Sequence, residues 1–141
     1  MVRFYASLIA ALLFATPALA QQETLEHILS KGAKRLSAPE VKSTLSSNVL
    51  EGAYVNGEIL TVYYNADGSL GGINHTDGAT FQGSWSVDDR GVQCLEYWIA
   101  GWGSENICRL WFGYGDALYV LESVSDADKS QPVYERKRTP R

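Results

Sequence analysis

This sequence contains few residues of the types that catalyse reactions or bind metal ions, and their spacing matches no known catalytic or metal-binding motif. The two histidines, His27 and His75, stand far apart and form no metal-binding spacing such as His-Glu-x-x-His. The sequence has no Gly-x-Ser-x-Gly motif, and Asp126 and Asp128 begin like a calcium loop without its later ligands or its glycine. We therefore expect no catalytic residue, no metal ion and no cofactor, and a protein that is not an enzyme.

Residues 1–20 have the pattern of a cleaved bacterial signal peptide. Arg3 gives a positive start, an apolar run extends from Leu8 to Phe14, and Ala18-Leu19-Ala20 ends the segment in a small-x-small pattern. The apolar run is too short to span a membrane, and no cysteine follows Ala20 to carry a lipid anchor. We expect a mature protein that is periplasmic or secreted and has no membrane anchor.

The charge of the chain excludes some partners. The formal charge is −4, and it becomes −5 once Arg3 leaves with the signal peptide. An acidic protein has no electrostatic footprint for nucleic acid or anionic lipid. We interpret the basic cluster Arg136-Lys137-Arg138 as a solvated tail.

Two short helices are predicted in a helical segment over 21–47. Helical spacing aligns Leu25, Ile28 and Leu29 in the first helix, and Val41 and Leu45 in the second. Ser37 and Glu40 have the spacing of a capping box at the start of the second helix. Helices this short are not stable alone, so they must pack on the domain that follows.

From residue 48 onward the sequence changes to short strands separated by turns, and we assign 48–138 to a β-barrel domain. Glycine-containing turns such as Asn56-Gly57 separate about eight predicted strands, over 49–55, 58–64, 70–75, 80–87, 92–99, 107–112, 117–123 and 132–138. An antiparallel meander of this length removes its exposed edges by closing. The predicted fold is all-β: a small antiparallel meander barrel, lipocalin- or calycin-like, with short N-terminal helices and one disulfide.

The cysteines and turns suggest a register. In an oxidising compartment Cys94 and Cys108 are expected to form a disulfide. A four-residue turn over 88–91 would set Val87 against Val92 and Trp85 against Cys94, and the next hairpin would set Cys94 against Cys108. Because side chains alternate between faces, the following residues are predicted to point inward: Phe81, Trp85, Val87, Val92, Cys94, Trp98, Cys108, Leu110, Phe112, Tyr119 and Leu121.

The same register directs a second apolar set outward, and these residues adjoin one another across three strands: Leu95, Tyr97, Ile99, Ile107, Trp111, Leu118 and Val120. An exposed apolar patch of this size is rare on a monomer. The N-terminal helices could cover it, or it could be the interface of a homodimer or with another partner. A register wrong by one residue would exchange the two faces.

Four residues are candidates for binding. Glu96 is predicted to face inward opposite Gly83, where its carboxylate would anchor a small ligand or be solvated near the barrel mouth. Trp102, between two glycines at a hairpin tip, would recognise a protein or sugar or fold back as a lid. Tyr97 and Trp111 belong to the predicted outward patch.

Several motifs point to a family. They are Leu36-Ser37-Ala38-Pro39-Glu40-Val41, Leu45, Asn48 to Gly52, Tyr64-Asn65-Ala66-Asp67-Gly68, Gly83-Ser84-Trp85-Ser86-Val87, and the pair Cys94 and Cys108. Over about residues 36–122 the chain resembles a family of small exported alphaproteobacterial proteins, chiefly from rhizobia and their relatives, described as a domain of unknown function. The resemblance implies a shared fold and supplies no catalytic residues.

A second likeness is to the periplasmic C-type lysozyme inhibitors, which are small barrels with a disulfide. Gly57 to Tyr64 resembles their early strands, but the chain lacks their cysteine near this segment and their Ser-x-Ser-Gly loop. We predict first a secreted or periplasmic binding module for a protein partner or a small apolar ligand, with an open barrel favouring the ligand. The alternatives are an envelope structural or stress protein acting through self-association, and a lysozyme-inhibitor-like protein.

Overall fold

The computed structural model describes residues 22–54, 56–99 and 103–139, and within these ranges the chain forms two short helices and nine strands. The helices are α1 (Leu25–Ser30) and α2 (Ala38–Leu45). The strands are β1 (Lys34–Arg35), β2 (Asn48–Ala53), β3 (Ile59–Tyr64), β4 (Ser69–Asn74), β5 (Thr80–Val87), β6 (Gln93–Ile99), β7 (Gly103–Tyr114), β8 (Ala117–Leu121) and β9 (Tyr134–Thr139). In the described ranges no helix is long and apolar enough to cross a bilayer. The predicted signal peptide lies outside these ranges.

Strands β2 to β9 form a closed antiparallel barrel. Each strand pairs with the next along the chain, and β9 returns to pair with β2, where Val49 lies opposite Thr139. The predicted eight-stranded meander barrel is confirmed, whereas its likeness to lipocalins stays a prediction. The sequence pattern did not indicate β1, which pairs with the end of β7 outside the barrel, Arg35 lying opposite Phe112.

Helix α2 packs at one end of the barrel. The predicted capping box is present: the Glu40 amide donates to the Ser37 hydroxyl at 3.4 Å, and the Ser37 amide donates to the Glu40 carboxylate at 2.7 Å. The apolar pair Val41 and Leu45 is fully buried in the same core cluster as inward-facing residues of the barrel, among them Tyr64. The capped helix thus presents its apolar side to the barrel interior.

Helix α1 covers part of the outer wall. Leu25 and Ile28 are fully buried in a second core cluster. Their neighbours in that cluster come mainly from β7, β8 and the segments beside them: Val92, Leu110, Phe112, Tyr119, Leu121 and Val133. The N-terminal helices therefore do cover apolar strand residues, but α1 covers the face that the sequence register assigned to the interior.

The predicted register between β5 and β6 is wrong by one residue. Val87 pairs with Gln93 rather than Val92, and Trp85 pairs with Leu95 rather than Cys94. The turn holds one more residue than expected, because Asp88 donates its amide to the Val92 carbonyl at 3.0 Å and Gly91 adopts a left-handed φ of 80°. One extra residue reverses the faces of every later strand.

Three inward predictions on β5 hold, since Phe81, Trp85 and Val87 belong to the interior cluster. The remaining inward predictions are wrong, and these residues lie on the outer face of the wall: Val92, Cys94, Trp98, Cys108, Leu110, Phe112, Tyr119 and Leu121. Trp98 is 57% exposed. The residues predicted to form an outward patch belong instead to the interior cluster: Leu95, Tyr97, Ile99, Ile107, Trp111, Leu118 and Val120. These side chains are therefore not exposed as the predicted homodimer interface.

The predicted disulfide is confirmed. Cys94 and Cys108 lie opposite each other on the paired strands β6 and β7, with their sulfurs 2.00 Å apart. Cys94 packs with the cluster beneath α1, so the bridge does not share a face with Trp85 as the sequence register required. The disulfide joins neighbouring strands on the outer wall.

Candidate functional site

The barrel interior contains a cavity of about 560 Å³ that opens at one end. The ends of β2, β4 and β6 and the starts of β3, β5 and β7 meet at this opening. Apolar side chains form most of the wall: Leu60, Val62, Leu70, Phe81, Leu95, Ile99 and Ile107. Polar side chains also line it, mainly around the opening: Tyr54, Asn56, Glu58, Asn74, Asp77, Thr80, Tyr97, Glu105 and Glu122. This volume lies in the range of small-molecule sites.

Inward-facing glycines let large side chains lie flat on the wall. A Cβ on Gly72 would come within 2.3 Å of the Phe81 ring, and a Cβ on Gly52 would come within 2.8 Å of the Arg136 head. At Gly71 and Gly72 strand β4 pairs regularly with both of its neighbours, without a bulge. These glycines make room for a ring and a guanidinium inside the barrel.

Arg109 is a fully buried cation inside the barrel. It donates to the Gln93 side-chain oxygen and to the Tyr64 hydroxyl, both at 2.9 Å. Its Nη1 donates to Glu122 at 2.9 Å and to the Tyr54 hydroxyl at 3.3 Å. Burial acts to lower the pKa of Arg109, but the surrounding Tyr54, Tyr64 and Glu122 oxygens outweigh it and hold that pKa above its usual value. Arg109 therefore stays charged and well coordinated.

Arg136 is a second inward-facing cation, and it is less well satisfied. Its head lies over the Tyr54 ring, 4.4 Å from the centroid, and its Nη1 donates to the Ala53 carbonyl at 2.6 Å. Its Nη2 is buried without a hydrogen-bond partner and lies 4.0 Å from the nearer Glu122 oxygen. Burial, opposed in part by Tyr54, lowers the pKa of Arg136.

The charges of this region are unequal. Among the described residues, Arg109 and Arg136 face one carboxylate, that of the partly buried Glu122, whose side chain is 16% exposed. Glu122 and Tyr54 both contact the arginines and also line the cavity. The cavity therefore reaches a polar cluster with an excess of one positive charge.

Tyr97 forms a polar contact closer to the opening. Its hydroxyl donates to Glu105, and its ring packs against that of Phe81, with 5.7 Å between centroids. Burial, together with the Glu105 hydrogen bond, raises the pKa of Tyr97 well above its usual value. The phenol is thus a neutral group on the cavity wall.

Only some of the predicted site residues reach this cavity. Tyr97 lines it, and Trp111 lies inside the barrel, where its indole donates to Gln93 at 2.8 Å. Both were expected on the outside, so their predicted placement is wrong. Glu96 is exposed on the outer face opposite Ser84, since Gly83 pairs with Tyr97, and its predicted inward position is also wrong. Trp102 lies outside the described residues.

No protein-family model matches this chain. A search of curated proteins likewise finds no significant match. The resemblances to the alphaproteobacterial family and to lysozyme inhibitors therefore stay predictions, and the functional argument depends on the geometry of the site.

A second polar group, on the outer surface, does not have the order of a catalytic triad. The Thr61 hydroxyl lies between Glu51, at 3.0 Å, and the His75 ring, at 2.7 Å. In a catalytic triad the histidine is central, because it must take the proton of the nucleophile. Nor do any three His, Cys, Asp or Glu side chains within the described ranges meet to hold a metal ion.

Neither arginine was predicted to lie inside the barrel, although the alternation of side chains along its own strand could have indicated each one. Arg109 is two residues from Ile107 and from Trp111, so it shares their face of β7. Arg136 was interpreted as part of a solvated tail, although the alternation of the strand Tyr134–Thr139 allows one of its cations to point inward. The wrong register concealed the inward position of Arg109, and the interpretation as a tail concealed that of Arg136.

Proposed function

We propose that this protein is an exported, non-enzymatic binding module that holds one small, mostly apolar molecule inside its barrel. The observation that carries the proposal is the cavity of about 560 Å³, apolar along most of its wall and open at one end. Export is supported by the signal-like segment 1–20 and by the disulfide between Cys94 and Cys108.

Packing energetics support a ligand site. Protein interiors are close-packed, and unfilled space costs about 24 cal/mol per Å³ when a core side chain is truncated. An eight-stranded barrel is just wide enough either to be filled by side chains or to hold one small ligand. Here two of the aromatic side chains predicted to fill the interior, Trp98 and Phe112, lie on the outer face. The aromatic side chains that are inside still leave the cavity of about 560 Å³ open.

The test is binding of a neutral, environment-sensitive fluorophore, N-phenylnaphthylamine, to the disulfide-intact protein. Ile107→Trp places bulk in the cavity, and Ile59→Trp adds the same bulk on the outside, where Ile59 is 40% exposed. We expect Ile107→Trp to weaken fluorophore binding by about tenfold or more, because burial of several methylene-sized groups is lost at about 0.8 kcal/mol each. Ile59→Trp should bind like the original protein.

Circular dichroism and thermal unfolding of both variants serve as the control for folding. Absence of fluorophore binding by the original protein, or equal binding by the two folded variants, would contradict the proposal.

The other hypotheses receive less support. Self-association relied on an outward patch that includes Leu95, Trp111 and Val120, and these side chains are inside the barrel. Inhibition of lysozyme depends on the sequence resemblance alone. Neither is favoured by an observation on the described residues.

A further inference from the structure

Arg136 has an unused hydrogen-bond donor beside the cavity. The residue is 4% exposed, it alternates inward between the exposed Glu135 and Lys137, and its Nη2 has no partner. Both groups that face its head, the Tyr54 ring and the Glu122 carboxylate, also line the cavity. A buried donor on a charged group without a partner is costly, so this position favours an acceptor supplied from the cavity.

The numbers of positive and negative groups also favour an acceptor from the cavity, and specifically an anionic one. Arg109 takes the Glu122 carboxylate at 2.9 Å, whereas Arg136 is left 4.0 Å from it. We infer that the ligand of the proposed cavity is a single-chain amphiphile whose monoanionic head lies beside Glu122 and pairs with Arg136. This inference rests on the proposed function. One added negative charge would give the two guanidinium groups two anionic partners.

The carboxylates at the opening do not overturn this preference. Asp77 and Glu105 are exposed and Glu58 is half-buried, so water and salt screen their repulsion of an anion. Arg136 is shielded from water, and its attraction is weakened far less. A cationic head would instead stay at the opening, near the acidic residues.

The experiment compares three probes of equal chain length that differ in the head: dodecanoate, dodecanol and dodecylammonium. Each displaces N-phenylnaphthylamine from the disulfide-intact protein near neutral pH, below its micelle-forming concentration. We expect dodecanoate to bind about ten- to a hundredfold more tightly than dodecanol, the range that a hydrogen bond to a charged group provides. Dodecylammonium should bind no better than dodecanol.

Variants assign the preference to Arg136. Arg136→Met should reduce dodecanoate affinity to that of dodecanol while leaving dodecanol binding unchanged. Lys137→Met, which removes an exposed cation from the same strand, should change neither. Should Arg136→Met fail to fold, Glu122→Gln is the second variant: removing the competing carboxylate should tighten dodecanoate relative to dodecanol.

The outcomes separate the inference from the function on which it rests. If dodecanol and dodecanoate bind equally well, the cavity is a ligand site, but the inferred preference for an anionic head is refuted. If dodecylammonium binds most tightly, the acidic residues at the opening determine the preferred head group, and the inference is also refuted. If no probe binds, the proposed function itself fails. An unchanged preference in folded Arg136→Met or in Glu122→Gln would exclude the assigned residue.

Discussion

Replacing Glu122 with glutamine removes the charge that compensates the buried arginines while keeping an oxygen that can accept a hydrogen bond. Glu122 accepts from Arg109 at 2.9 Å and lies 4.0 Å from Arg136. In the variant both guanidinium groups stay buried, and no carboxylate of the described residues pairs with either. We therefore expect Glu122→Gln to destabilise the barrel through electrostatics rather than through lost volume.

The size of the effect follows from burial. Removing one partner of a buried ion pair costs about 3–5 kcal/mol. The Glu122 side chain is 16% exposed, and Arg109 keeps its hydrogen bonds to Gln93 and Tyr64, so the lower limit, about 3 kcal/mol, applies. A small domain has a total stability of about 5–15 kcal/mol, so this loss is easily measured.

Equilibrium urea denaturation of the disulfide-intact protein measures the loss. With a dependence of about 1–3 kcal/mol per molar urea, the midpoint should fall by about 1–3 M. Glu135→Gln, at an exposed position of β9, is the matched control and should change stability by less than about 0.5 kcal/mol. In a double-mutant cycle, Glu122→Gln and Arg109→Met together should cost less than the sum of the two. Equal midpoints for Glu122→Gln and Glu135→Gln would refute the reasoning.

Two further outcomes test the register and the buried phenols. Gly83→Ala should cost about 3 kcal/mol in the same denaturation assay, because its Cβ would lie 1.9 Å from the Glu96 carbonyl oxygen; an unchanged midpoint would contradict the observed β5–β6 register. Burial is the largest cause that raises the pKa of both Tyr64 and Tyr97 above the usual 10.0. A raised folded-state pKa gives stability that is complete below pH 10 and is lost as pH rises through the folded pKa. In an alkaline titration the phenolate absorbance of the buried tyrosines should therefore appear only at the pH at which the circular dichroism of the folded barrel is lost. Ionisation of every tyrosine while the barrel stays folded would contradict this prediction.

Local patterns predicted most of the elements, because short-range chemistry sets them. The capping box of Ser37 and Glu40 starts a helix wherever it lies, and glycine turns separate the strands within a few residues of their predicted ends. Cys94 and Cys108 were placed opposite each other correctly. These predictions needed only neighbouring residues and the expectation of an oxidising compartment.

The inside and outside of the barrel could not be obtained in this way, since they depend on the length of one turn. A four-residue turn and a five-residue turn after Val87 are about equally compatible with the local sequence. The four-residue turn would direct Trp111 to solvent, whereas the five-residue turn that is present directs it to the interior. The sequence pattern could not distinguish the inner from the outer face of β6 to β8, because both faces carry apolar residues. Helix α1 buries those on the outer face, and the barrel buries those on the inner face. The position of the cavity therefore could not be predicted.

The pairing of β9 with β2 has a consequence for how the protein matures. These strands are separated by most of the domain, and their pairing joins Val49 to Thr139. The ring of strands cannot be completed until the residues of β9 have been synthesised, so earlier folding intermediates present unpaired strand edges to their surroundings. Arg136 arrives on the same strand, and a chain cleaved before Tyr134 would lose both the seam and the free guanidinium donor at once. Proteolysis in the segment 122–133 would then open the wall of the barrel between β8 and β2.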